Sequence, residues 1–248
     1  MPRFCANLTM LFTQVDLLER FAMARAAGFD AVEVLFPYDV AVPDMVAMLA
    51  RYELPLALIN CPPPNYTGGE RGFAAVAGSR FKQDFKRTLR YAKTLGAQHI
   101  HIMAGVAEGA EAKATFIENL RWAAAEVPNQ SLTIEPINRD DMPGYFLSDF
   151  DLAAEIIATV DAPNLRLQFD AYHAQKITGD VLGTWARVRD IAVHVQVAQT
   201  PDRTAPDQGE IDYAAFFAQL DADGYNGWVS GEYSPAERTD LSVGWMTS

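Results

Sequence analysis

Cationic side chains are scarce in this chain: 20 Lys and Arg against 32 Asp and Glu leave a formal net charge of -12 over 248 residues. Such a balance gives no electrostatic footprint for nucleic acid and repels an anionic membrane surface. Any anionic ligand must therefore be held by a few local cations. Long apolar runs are missing as well. No stretch is long enough to span a bilayer, and the opening Met1-Pro2-Arg3-Phe4-Cys5-Ala6-Asn7 lacks the uninterrupted apolar core of a secretory signal. These absences predict a cytoplasmic protein, in which the glycosylation patterns at Asn7-Leu8-Thr9 and Asn65-Tyr66-Thr67 are coincidences. Cysteine is reduced to Cys5 and Cys61, without CxxC or zinc-type spacing, so buried free thiols are expected rather than a disulfide framework. No composition shift, low-complexity segment or internal repeat divides the chain.

Half of the residues are hydrophobic, enough for a large core. Apolar runs of strand length recur at 4–8, 31–36, 56–60, 99–103, 132–135, 165–170, 192–196 and 228–232. Helical patterns separate them. The first, over 15–27, places Leu17, Phe21 and Ala24 on one face, with a Thr13/Asp16 capping box before it and Gly28 past its end. Others cover 43–52, with a proline suited to a first turn, and 79–95, with Phe81, Phe85, Leu89 and Ala92 at helical spacing. Phe116, Leu120 and Ala123 mark a fourth, and a fifth opens at Ser148 three residues before Asp151. A sixth pattern near 179–188 is weak, and in a seventh Tyr213, Phe216, Phe217 and Leu220 follow the i, i+3, i+4, i+7 template. Strict strand–helix alternation with continuously apolar strands argues for a parallel sheet. Eight such units in this length predict a single (β/α)8 TIM barrel over residues 1–248.

Barrel geometry makes strand-end position informative, because polar residues at the carboxyl ends face the rim where barrel enzymes do their chemistry. Leu132-Thr133-Ile134-Glu135 runs into a carboxylate and is stopped by Pro136; the runs ending in Asp170, Gln196 and Glu232 finish in the same way. Three carboxylates and an amide oxygen converging there would repel one another unless a divalent cation sat among them, and hard cations prefer such oxygen ligands. His173, just beyond Asp170, suits a substrate hydroxyl or a contact behind the ligands. His99 and His101 share one face of strand four and are expected to hydrogen-bond within the core. Asn7 and Glu33 also reach the rim, where they either touch substrate or fix loops. Trp185, Trp228 and Trp245 read as packing residues. The long connection 62–78, with Gly68, Gly69 and Gly72, suits a mobile cover over the site.

Several of these stretches together resemble a known family. Arg3-Phe4, Ala6-Asn7-Leu8-Thr9-Met10, Phe36-Pro37-Tyr38-Asp39, Gly69-Glu70-Arg71-Gly72, Ile134-Glu135-Pro136-Ile137-Asn138, Asp170 with Tyr172-His173, and Gly231-Glu232-Tyr233 with Pro235 are similar to the hydroxypyruvate isomerase family of xylose-isomerase-like barrels. The resemblance spans essentially the whole chain. It implies a divalent metal held by Glu135, Asp170, Gln196 and Glu232, with Glu135 and Glu232 acting as the acid/base pair. Mg²⁺ or Mn²⁺ is favoured and Zn²⁺ is compatible. Two departures, Pro62-Pro63-Pro64-Asn65-Tyr66 and Thr200-Pro201-Asp202-Arg203, lie where substrate would sit and bear on which substrate is used.

The expected activity is aldose–ketose-type isomerisation of hydroxypyruvate to tartronate semialdehyde by proton transfer through an enediolate. A 2-oxotetronate isomerase is the alternative, followed by a keto-sugar 3-epimerase. The partner is then a small anionic hydroxy-keto acid, with no nucleic acid or membrane, and a homo-oligomer is compatible. Arg203 is expected to hold the substrate carboxylate, with Arg71 the second candidate and Glu70, His173 and Asn7 also at the substrate. An endonuclease-type barrel would need histidine-rich metal sites and a basic surface, whereas the chain has four histidines. A silent binding barrel would be expected to have lost one of the two glutamates, and both are present.

Overall fold

The computed structural model describes residues 2–61, 71–236 and 238–247. Eight strands form one parallel sheet: β1 (Arg3–Asn7), β2 (Ala31–Glu33), β3 (Leu58–Asn60), β4 (His99–His101), β5 (Ser131–Ile134), β6 (Leu165–Asp170), β7 (Ala192–Val197) and β8 (Trp228–Gly231). Their order is β2-β1-β8-β7-β6-β5-β4-β3. The two ends of that order meet through a less regular seam, in which the Val32 N–H donates to Pro55 O at 3.1 Å, Ala57 N–H to Val32 O at 2.7 Å and Asn60 N–H to Leu35 O at 2.9 Å. The sheet is thereby a nearly closed barrel, as the spacing of the apolar runs predicted.

The helices between strands are α1 (Leu17–Ala26), α2 (Val42–Tyr52), α3 (Arg80–Leu95), α4 (Gly109–Glu126), α5 (Phe150–Val160), α6 (Ala171–Thr178), α7 (Val181–Val188) and α8 (Tyr213–Ala222). Their apolar faces cover the outside of the barrel. There Phe169 of β6 packs 5.4 Å from Phe150, 5.3 Å from Trp185 and 5.8 Å from Phe216, centroid to centroid. Trp245, in a carboxyl-terminal turn, fills the gap beside β1 with its ring 5.0 Å from Phe4. Cys5 and Cys61 are free and buried, as expected.

Three local expectations need correction. No capping box opens α1: Asp16 is its N-cap, and its side chain makes no capping bond. Asp149, not Ser148, caps α5, accepting from the Leu152 N–H at 2.7 Å. The weak sixth pattern over 179–188 corresponds to α7, which begins at Val181, and the preceding α6 was not expected. Asp170 is both the last residue of β6 and the N-cap of α6, accepting from the Tyr172 N–H at 2.8 Å, so helix begins directly at the end of the strand. Gly179, at φ 71°, ends α6, and Asp180 caps α7 through the Gly183 N–H at 2.8 Å.

The connection after β3 was expected to be a mobile cover. Its residues 62–70, Glu70 among them, lie outside the described residues. The remainder is fastened to the segment after β4 and to α4: the Ala75 N–H donates to Ala104 O at 2.8 Å, and Asn119 Nδ2 of α4 donates to Ala74 O at 2.9 Å. Gly72 is required there, because its φ is 88° and a Cβ would run into the Met103 backbone carbonyl.

Candidate active site

The interior of a TIM barrel is usually filled by branched apolar side chains in layers. Here the buried residues pointing inward include Glu33, His101, Thr133, Gln168, His194 and Ser230, each at most 1% exposed. Above them, at the carboxyl ends of the strands, stand Glu135, Asp170, Gln196 and Glu232, from 0 to 8% exposed. A cavity of about 290 Å³ opens over this layer and is lined by Glu135, Glu232, His173, Arg203, Arg71 and His101, with Met10, Phe36, Met103 and Met142 as apolar wall. Its size suits a metabolite of a few carbons. Two larger surface crevices, one holding Arg189 and Asp223 and the other Arg166 and Arg187, lie at the amino-terminal end of the strands, far from any cluster of buried acids.

Burial is the main electrostatic fact of this layer. It pushes Glu135 well above the ordinary carboxylate range, reinforced by Glu232 and Asp170 nearby. Burial likewise raises Glu232 to about 8 against the pull of Arg203. Asp170 is raised by burial and held back by Arg203 and by the backbone N–H groups of Tyr172 and His173. Arg203 is placed on the rim as expected, but its guanidinium is taken up by the acids: Nη2 lies 2.9 Å from Asp170 Oδ2 and 2.9 Å from Glu232 Oε1, over the Tyr172 ring at 5.0 Å. Its φ of 56° aims the side chain back into the site from a loop.

Glu135, Asp170 and Glu232 set three potential negative charges against one guanidinium, leaving a deficit of about two charges that a divalent cation would fill. Ligand atoms of Glu135, Asp170 and His173 all lie within 4.8 Å of one another, close enough to hold a metal ion. His173, however, is set up as a donor. Asn138 Nδ2 faces Asp141 Oδ2 at 3.0 Å, which fixes its amide, and the same nitrogen lies 2.7 Å from His173 Nδ1. Nδ1 must then accept, so Nε2 carries the proton, 3.6 Å from Asp170 and 3.9 Å from Glu135. Burial holds the ring well below its usual pKa, so it is neutral. A protonated Nε2 suits a substrate oxygen better than a metal. Gln196 Oε1 accepts from Gln168 Nε2 at 2.7 Å and keeps a second lone pair for another partner.

Other sequence candidates separate. Asn7 does not line the cavity but sits behind its acids: its Nδ2 donates to Glu33 Oε1 at 2.8 Å, its side chain also bonds Glu232, and its Oδ1 accepts from the Thr9 N–H at 3.0 Å, which fastens the loop after β1. Arg71 lines the cavity, with no ion pair among the described residues. His99 bonds Ser131 within the core, at 2.8 Å from Nδ1 to Oγ. His101 was assigned to the core with it, yet it lines the cavity with Nδ1 3.2 Å from Asn60 Oδ1 and 3.6 Å from Glu135 Oε2. The alternation of His99 and His101 on one strand was a signal that pointed inward, and the second of the pair stands one layer nearer the rim. Gln168, which donates to Glu135 Oε2 at 3.1 Å, was not singled out at all.

Residues 21–248 match the family described as xylose isomerase-like TIM barrel. The chain belongs to that family. Among its relatives within this group, the 2-oxo-tetronate isomerase of Cupriavidus necator is 44% identical, with 99% of this chain and 98% of that protein aligned. The hydroxypyruvate isomerase of Escherichia coli is 37% identical over 99% of this chain and 98% of its own length. A crystal structure from Brucella melitensis, described as an AP endonuclease of family 2, superposes with a TM-score of 0.96 at 39% identity, covering 100% of this chain and 98% of that one. The full-length isomerase relatives support an isomerase, in agreement with the resemblance seen in the sequence.

Proposed function

We propose that this chain is a divalent-metal-dependent isomerase of a small hydroxy-keto acid, with Glu135 and Glu232 as its acid/base pair. The observation that carries the reading is the placement of these two buried glutamates, just past the ends of β5 and β8, on the wall of one small cavity, each with its pKa held well above the ordinary carboxylate range. Proton exchange with carbon near neutral pH needs a group of that kind. Glu135, Asp170, Gln196 and Glu232 would hold the ion, and all four offer oxygen, which favours Mg²⁺ or Mn²⁺ and leaves Zn²⁺ compatible. When bound, the ion would supply Lewis-acid stabilisation to negative charge developing on substrate oxygens.

For hydroxypyruvate, one glutamate takes a proton from C3 and the other delivers one to C2, while the C3 hydroxyl proton passes to the oxygen on C2. The product is tartronate semialdehyde, and no oxidant or reductant is consumed. His173 Nε2–H is directed to donate to a substrate oxygen. Arg203 is engaged by two of the ligands, so Arg71 is the cation better free to meet the carboxylate, with Arg203 steering from behind. The apolar wall of methionines and Phe36 excludes water from the enediolate form of the substrate. The 44% identity to a 2-oxo-tetronate isomerase favours a second reading, the same proton transfer on a substrate one carbon longer. We place the enzyme in the cytoplasm, as one barrel over the whole chain. Elemental analysis of purified protein, followed by isomerisation assays on hydroxypyruvate and on 2-oxotetronates, tests the proposal. Metal-loaded protein inactive on both would refute it.

A further inference from the structure

Glu33 is fully buried on β2 and ends a chain of directional hydrogen bonds. Three N–H groups converge on its carboxylate: Gln196 Nε2 at 2.9 Å and Asn7 Nδ2 at 2.8 Å on Oε1, and His194 Nε2 at 2.6 Å on Oε2. Gln196 therefore keeps its nitrogen toward Glu33 and its oxygen toward Gln168 and the acid layer. Gln168 is locked in turn, because its Nε2 serves both Gln196 Oε1 at 2.7 Å and Glu135 Oε2 at 3.1 Å while its oxygen accepts from Thr133 Oγ1 at 3.1 Å. Turning Gln196 over would set its oxygen against the Glu33 carboxylate and its nitrogen against another nitrogen. The Glu33 end, where three N–H groups meet one carboxylate, sets the direction of this relay.

We propose that Glu33 is a positioning residue that fixes the amide of Gln196 so that its oxygen, rather than its nitrogen, is presented to a metal ion. This rests on the proposed metal role of Gln196. Glu33 itself touches neither metal nor substrate. A rigid amide oxygen is a ready ligand, whereas an amide free to rotate offers the ion a donor N–H for part of the time. Residues behind metal ligands commonly change metal affinity by about ten- to a hundredfold when replaced.

The test is Mn²⁺ affinity, followed by electron paramagnetic resonance titration of folded protein. Glu33→Met removes the acceptor at similar length, and its affinity should fall by at least about tenfold. Glu33→Gln keeps a carbonyl for Gln196 and Asn7 and can donate to His194 after a change of tautomer, so its affinity should stay within about threefold of the parent. The double variant Glu33→Met/Gln196→Glu should regain most of the loss, since a carboxylate presents oxygen whichever way it turns. Parent-like binding by Glu33→Met, or failure of the double variant to recover, overturns the inference. Should Glu33→Met not fold, the parent protein decides. The Gln196 side-chain NH₂ pair should exchange slowly with solvent by NMR, and Mg²⁺ should move its carbonyl carbon; rapid exchange overturns the role of Glu33. Absence of Mn²⁺ binding by the parent would instead refute the metal site itself, while the exchange rate still reports the hold of Glu33 on the amide.

Discussion

Raising the pH of the metal-stripped protein from 6.5 to 8 should destabilise it, and the sign follows from groups that burial perturbs in opposite directions. His99 and His101 are lowered to about 3 from 6.5 by burial, then by the neighbouring His194. Below pH 6.5 the unfolded chain binds protons at these rings that the folded chain refuses, so they make stability rise with pH up to that point. Glu232, raised from 4.5 to about 8, acts the other way. Between those values the folded protein keeps a proton that the unfolded chain has released, and stability falls as pH rises. The two trends oppose each other from 4.5 to 6.5, and above 6.5 the acids act alone. At about 1.4 kcal/mol per pH unit, Glu232 alone costs on the order of 2 kcal/mol between pH 6.5 and 8, with Glu135 adding in the same direction. For a chain of this size that is a drop of roughly 4–8 °C in Tm. Thermal unfolding in EDTA at stepped pH measures it, and the same series in saturating Mg²⁺ should be nearly flat, because a bound cation removes the reason for the acids to hold protons. A flat profile in EDTA, or an equal slope with Mg²⁺, would refute this account of the acid layer.

Glu135→Gln and Glu232→Gln should each lower turnover by at least about a hundredfold while circular dichroism remains that of the parent; near-normal turnover in either removes the two-glutamate mechanism. Chelation should abolish activity, with Mg²⁺ or Mn²⁺ restoring it better than a thiol-seeking metal, as read by steady-state rates after dialysis. Arg71→Ala should raise the KM for acidic substrates by about tenfold or more, the scale of a lost charge-assisted bond, whereas Arg203→Ala should chiefly change metal affinity and kcat; an unchanged KM in Arg71→Ala would return the carboxylate to Arg203. Gly72→Ala should cost at least about 1 kcal/mol in urea unfolding, since it meets both a positive φ and the Met103 carbonyl.

The barrel was legible because eight apolar runs carry a local signal that needs no knowledge of neighbours. Glu135 stood out for the same reason, as a charge at the end of an apolar strand with a proline behind it. Asp170 was found as a strand end, but its second duty as the cap of α6 was hidden, because strand and helix abut without the loop residues that normally separate them. What escaped the sequence depends on register around the barrel. Glu33 meets His194 across 161 positions and Gln196 across 163, and no local pattern pairs them. The engagement of Arg203 with Asp170 and Glu232 is likewise set by a left-handed turn in a loop, which periodicity does not reveal.

A barrel plugged with Val and Leu can trade one methyl for another as long as volume is kept, since dispersion has no preferred direction. The plug made by Glu33, Thr133, Gln168, His194 and Gln196 has a grammar instead: every member is defined by which way its proton points. Single changes that remove a donor or acceptor there break agreement even when volume is preserved, and only a swap that a neighbour's tautomer can absorb, such as Glu33→Gln, leaves the pattern whole. The helical shell outside is free of that constraint. Within one fold, the inner ring should then tolerate random substitution less than the outer ring, a contrast that a substitution scan of both would read.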